Sequence, residues 1–130
     1  MTSFVDSHCH INFPELYANI DNIFSKMVSN KVTHALCVSV SLDKFPDIFK
    51  IANTYPHIFA SVGVHPDYED IVEPTVEELC RYAKEKKVVA IGETGLDYFR
   101  VQGDLTWQRD RFKTHIQAAI QSNLPLIIHT

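Results

Sequence analysis

Short apolar runs rich in β-branched residues alternate along the chain with longer stretches whose apolar positions recur every three or four residues. The first pattern is that of a buried strand and the second that of an amphipathic helix. Strands are predicted over residues 3–8, 33–40, 58–64, 88–93 and 126–129. Their unbroken apolar character, as in Val88-Val89-Ala90-Ile91, predicts burial on both faces, which parallel strands covered by helices require.

Four helices are expected between them. Pro14, with its fixed φ and missing N–H, opens the first; Leu16, Ile20, Ile23, Phe24, Met27 and Val28 form its inward stripe and Asn30 stops it. Pro46 opens the second, with Ile48, Phe49, Ala52 and Tyr55 toward the sheet until Tyr55-Pro56 breaks it. Thr75-Val76-Glu77-Glu78 is a capping box for the third, whose core positions are Val76, Leu79, Cys80 and Ala83. The fourth follows Asp104, buries Trp107, Phe112, Ile116, Ala119 and Ile120, and ends near Ser122-Asn123 ahead of Pro125. This βα order fits two α/β architectures: an open doubly wound sheet, or the first part of a (β/α)8 TIM-type barrel of about 250 residues.

Polar residues at the strand ends favour the barrel. The first strand ends in Asp6-Ser7-His8-Cys9-His10, and strand alternation turns Asp6, His8 and His10 one way and Cys9 the other. The third runs into Gly63-Val64-His65-Pro66, the fourth into Gly92-Glu93-Thr94-Gly95-Leu96-Asp97, and the fifth ends in His129. In a barrel all these carboxyl ends open on one face, so His8, His10, His65, Glu93 and His129 ring a common mouth. Imidazoles and a carboxylate on separate rigid strands are the donors that Zn²⁺, or a harder Mg²⁺ or Mn²⁺, requires. Glu93, central among the strands, is placed to bridge two ions, and a two-metal site activates water for phosphodiester hydrolysis.

The other candidates receive plainer readings. His34, His57 and His115 sit at strand starts or on a helix, away from that face, and Cys9 is a small packed hydrophobe. Trp107, Phe99 and Tyr98 could stack on a base, yet aromatics at a helix start or in a βα loop more often fill core; Trp107 is assigned to the core and Tyr98 stands open between the two. His65 is read either as a substrate contact or as a hydrogen-bonded loop histidine, since His-Pro after a strand is also ordinary turn chemistry.

Composition narrows the partners. A chain of 130 residues, 45% hydrophobic and 22% charged, has the make-up of one soluble globular domain. Its net charge is −4 and it has no run of Lys or Arg, which excludes a basic groove holding nucleic acid through phosphates alone. Metal ions would supply the positive charge. Cys9, Cys37 and Cys80 lack the paired spacing of a disulfide framework or zinc finger, which fits a reducing compartment. With neither a leader-like start nor an apolar stretch of about 20 residues, a cytoplasmic protein without membrane contact is expected.

Taken together, Asp6-Ser7-His8-Cys9-His10-Ile11, Gly63-Val64-His65-Pro66, Gly92-Glu93-Thr94-Gly95-Leu96-Asp97-Tyr98, Gln108-Arg109-Asp110-Arg111-Phe112 and Pro125-Leu126-Ile127-Ile128-His129 resemble the TatD-type metal-dependent deoxyribonucleases of the amidohydrolase superfamily. The resemblance spans the whole chain and implies two divalent ions: His8 and His10 on one, Glu93 bridging, His129 on the second. It further implies a substrate-phosphate contact at His65 and supporting hydrogen-bond roles for Asp6 and Asp97. DNA is the implied substrate, with no obligate protein partner; another ester or amide bond of the same superfamily chemistry is the alternative. The family pattern continues with a metal-binding His and an Asp on later strands, beyond these 130 residues. Residues 1–130 are accordingly expected to be the N-terminal part of a single barrel domain. A non-catalytic fragment is the alternative reading of such a piece, whose open strand edges would favour self-association.

Overall fold

All five apolar runs pair side by side. The computed structural model describes residues 2–130 and has the strands β1 (Phe4–Cys9), β2 (Val32–Cys37), β3 (Ile58–Val62), β4 (Val88–Gly95) and β5 (Leu126–His129). Every neighbouring pair is parallel and the spatial order is the chain order, β1-β2-β3-β4-β5. A doubly wound sheet reverses its strand order at a switch point; here there is no reversal, so the sheet curls in one sense as a half-barrel.

The helices are α1 (Pro14–Tyr17), α2 (Ile20–Ser29), α3 (Phe45–Thr54), α4 (Val76–Ala83) and α5 (Thr106–Ser122). They cover the outer face of the sheet, where Ile48, Ile51 and Ala52 of α3, Leu79 of α4 and Ala118 of α5 close over Cys37, Ile58, Ala60, Val62 and Ile91. On the other face Val5, Leu36, Phe59 and Val89 line an apolar groove. No helix among the described residues is long and apolar enough to cross a membrane.

Several expectations need correction. The predicted first helix is two, because the chain leaves helical geometry at Asn19 (φ −121°, ψ 25°) after one turn begun by Pro14. α2 then packs through Ile20, Ile23, Phe24 and Met27, leaving Val28 79% exposed and Leu16 outside the stripe. β1 is exposed along most of its length rather than buried on both faces, since it lies at the edge of the sheet with β2 as its neighbour. The largest departure is α5. Its buried residues are Gln108, Arg111, His115, Ala118 and Ala119, while Ile120 is 74% exposed and Trp107 is partly exposed. The helix is rolled to put a polar stripe inward. Thr75 caps α4 as expected, its hydroxyl accepting from Glu78 N at 3.1 Å.

β3 and β4 approach so closely at Gly63 that a Cβ there would lie 2.6 Å from Gly92 Cα. That approach sets His65 and Glu93, two and one residues further on, side by side.

Candidate metal centre

The β1 end supplies two imidazoles. Asp6 accepts from the His8 backbone N–H at 3.0 Å, which pins the strand end, and His8 Nε2 lies 3.2 Å from Glu93 Oε2. His10 Nδ1–H donates to the Val38 carbonyl at 3.0 Å, and its ring stacks on Phe13 with centroids 5.0 Å apart. With Nδ1 spoken for, His10 keeps an unshared pair on Nε2. Cys9 turns away as the alternation requires, its thiol donating to Leu36 O at 3.3 Å. A hydrogen bond with Cys37, and then burial, raise the Cys9 thiol well above its ordinary pKa, so it stays a packed thiol.

A second group forms across β3, β4 and β5. His129 Nδ1 is 3.1 Å from Glu93 Oε1 and 3.1 Å from His65 Nε2, and His65 Nε2 is 3.9 Å from Glu93 Oε1. Each ring is held from behind by a carboxylate: Asp97 Oδ2 on His129 Nε2 at 3.0 Å, and Asp67 Oδ1 on His65 Nδ1. The Arg100 N–H, with help from His129 and the Phe99 N–H, keeps the Asp97 carboxyl below its ordinary range, so it is the anion that accepts these bonds.

Asp97 and Asp67 are placed to take the outer N–H of His129 and of His65, which leaves the inner nitrogen of each ring turned toward the other and toward the Glu93 carboxylate. Carboxylate-backed imidazoles aimed inward in this way are the usual surroundings of a metal ligand. His8, His10 and Glu93 form one such donor group and His65, Glu93 and His129 another, the ligand atoms of each lying within 4.8 Å of one another. Glu93 belongs to both, through Oε2 to the first and Oε1 to the second.

Beneath the mouth the polar stripe of α5 holds two loops. Gln108 Nε2 donates to Pro66 O and Asp97 O at 3.0 and 3.1 Å, while its Oε1 accepts from Asp97 N at 3.1 Å. Arg111 donates to His65 O at 2.8 Å and Tyr68 O at 2.6 Å and forms a bidentate pair with Glu73. His115 is fully buried; its Nε2 accepts from Val64 N at 3.0 Å and its Nδ1–H donates to Arg111 O at 2.8 Å. Burial pushes its pKa down to about 4, so the ring is neutral.

His8, His10, His65, Glu93 and His129 thus converge at one mouth, the placement expected from their positions at strand ends, and Asp97 joins them through His129. Among the described residues the Asp6 carboxylate accepts from the His8 backbone N–H and is not part of either donor group. His65 stands inside the second donor group, beside Glu93 and His129. His34 pairs with Thr33 and His57 packs on Phe24, both away from the mouth. Asp67, Gln108 and Arg111 were missed as contributors. Asp67 lies two residues after His65, close enough along the chain for its carboxylate to reach the ring, and Gln108, Arg111 and His115 recur at helical spacing, a period legible in polar as well as apolar residues.

A family model described as TatD related DNase matches residues 5–130. The chain is 35% identical over 129 residues to an uncharacterized metal-dependent hydrolase of Buchnera aphidicola, covering 97% of this chain and 49% of that protein. It is likewise 35% identical to the uncharacterized metal-dependent hydrolase YcfH of Escherichia coli, over 97% of this chain and 48% of the relative. Among solved structures it is similar to YjjV, a TatD homolog from E. coli, with a TM-score of 0.82 at 26% identity over 97% of this chain and 50% of that one. A TatD family hydrolase from Entamoeba histolytica gives a TM-score of 0.75 at 25% identity, over 99% of this chain and 50% of its own. The chain therefore spans about half the length of the relatives it matches.

Proposed function

From the premise that this chain belongs to the TatD related DNase family, we propose that it forms the N-terminal part of a single barrel domain whose complete protein is a divalent-metal-dependent phosphodiesterase acting on DNA. The observation that carries the reading is Glu93, which presents one carboxylate oxygen to each of two donor groups. His8 and His10 would hold one ion, Glu93 would bridge, and His129 would hold the second. When bound, such a pair supplies an activated water and positive charge beside the phosphodiester oxygens. That charge matters in a chain whose own net charge is −4.

The protein's residues have separate tasks. Val38 O and Asp97 orient His10 and His129 so that the correct nitrogen faces inward. His65 is assigned to the substrate phosphate, with Asp67 on Nδ1 holding the ring so that Nε2 faces the mouth. Asp6 fixes the backbone that carries His8.

Metal analysis of the complete protein tests the assignment. The parent should bind two divalent ions, Glu93→Gln should weaken both sites, and His10→Ala should lose one ion only. Metal content unchanged in Glu93→Gln would refute the shared ligand. Release of nucleotides from DNA, measured with Mg²⁺, Mn²⁺ and Zn²⁺ against carboxylic ester and amide substrates, tests the reaction. Turnover of ester or amide without any nucleotide release would sink the phosphodiesterase reading.

A further inference from the structure

Two concavities open at the mouth. One is lined by residues that include His10, His65 and Glu93, the other by residues that include Asp97, Phe99 and His129, and Arg100 lines both. It is also the only Lys or Arg among the lining residues of either. Its side chain is 56% exposed and makes one side-chain contact, to Asp97 Oδ2 at 3.4 Å. A guanidinium has five N–H donors in a planar fork, so most of its capacity faces open space beside the donor groups. Arg111, by contrast, is buried and committed to Glu73 and two carbonyls.

The neighbouring residue is equally conspicuous. Phe99 is 90% exposed and Tyr98 is 57% exposed, on the loop between β4 and α5. This loop is nonetheless ordered from within, for Asp97 Oδ1 accepts from both Phe99 N at 3.0 Å and Arg100 N at 2.8 Å. The other oxygen of the same carboxylate holds His129. One side chain therefore sets the position of a donor in the metal group and of an aromatic–cationic pair at the rim. A bare ring next to an available guanidinium matches the two recurring parts of an unpaired nucleotide, a base face and a phosphate. A duplex keeps its base faces stacked away from such a ring, so the match is to a single-stranded or frayed end.

We propose that Phe99 and Arg100 form the substrate-holding arm of this site, Arg100 pairing with a phosphate next to the scissile bond and Phe99 stacking on the adjacent unpaired base. The inference rests on the phosphodiesterase reading above and names the part of the chain that selects the substrate. It is tested by fluorescence anisotropy of the complete, metal-loaded protein, using a short labelled oligothymidylate with cleavage-resistant phosphorothioate linkages and its abasic counterpart. Arg100→Gln should weaken both strands about tenfold and lower the slope of log affinity against log salt by about one, whereas Arg100→Lys recovers part of the loss. Phe99→Ala should weaken the base-bearing strand about tenfold and leave the abasic strand unchanged. Parent-like affinities in both Arg100→Gln and Phe99→Ala, or no affinity in the parent, would overturn the arm. Nucleotide release by the metal-loaded parent is scored separately: binding with the expected pattern but no release supports the arm and refutes the phosphodiesterase.

Discussion

Exchanging His115 for Gln should make the folded protein markedly less sensitive to acid. The ring is fully buried, with Nε2 accepting from Val64 N and Nδ1–H donating to Arg111 O. Burial penalises the charged ring, and the nearby Arg111 guanidinium repels it while the Arg111 carbonyl only partly offsets this, so the folded-state pKa lies at about 4 against an ordinary 6.5. Between those values the unfolded chain takes up a proton that the folded protein refuses. The contribution is thus fully present above pH 6.5 and is lost as pH falls from 6.5 toward 4, at up to about 1.4 kcal/mol per pH unit. The full difference of about 2.5 units corresponds to about 3 kcal/mol, of which about 2 kcal/mol falls between pH 7 and pH 4.5. Gln keeps an acceptor for Val64 N and a donor for Arg111 O but does not titrate in this range. Urea unfolding of the metal-free complete protein at pH 7 and pH 4.5 yields the double difference between parent and variant, in which the mouth histidines cancel. A value near 2 kcal/mol is expected; parallel pH profiles would show that His115 is not held neutral and would refute the reasoning.

Three further outcomes follow from the same geometry. Asp97→Asn removes the anion behind His129 and should lower metal affinity at the donor group of His65, Glu93 and His129 by about 10- to 100-fold in calorimetric titration, with any binding at His8, His10 and Glu93 little changed. Gly63→Ala puts a Cβ 2.6 Å from Gly92 Cα, forcing β3 and β4 apart next to Glu93; it should destabilise by about 1–3 kcal/mol in urea unfolding and weaken metal binding with it. Thr75→Ala deletes the α4 cap and should cost about 1 kcal/mol in the same assay while metal content stays at the parent value, because α4 carries none of the donors.

The strands and the mouth were legible because both rest on simple periodicities. An apolar run such as Val88-Val89-Ala90-Ile91 has few alternatives to a buried strand, and alternation along β1 separates His8 and His10 from Cys9 without reference to any other element. Strand ends gathered on one face do the rest. Helix orientation was less legible. In α5 the apolar positions Trp107, Phe112, Ile116 and Ile120 suggested one face, but the inward demand at that place is polar: loop carbonyls and amides around His65 and Asp97 need partners, and Gln108, Arg111 and His115 meet it. Counting hydrophobic residues does not detect such a demand. The break between α1 and α2 escaped for a related reason, since a single loss of helical geometry at Asn19 leaves the apolar spacing almost unaltered.

The grip of α5 on two loops has a mechanical side. Gln108 joins the loop after β3 to the loop after β4, and Arg111 clamps the first of these again one turn along. Sliding the helix drags both loops together, whereas shearing one loop past the other breaks several buried hydrogen bonds at once. Relative misalignment of His65 and Asp97 is therefore the stiff deformation of the mouth and collective tilt the soft one. For anyone building chimaeras on this scaffold, α5 and the two loops are a single exchangeable cassette, and transplanting the helix without them would leave its polar stripe facing carbonyls it was not shaped to meet.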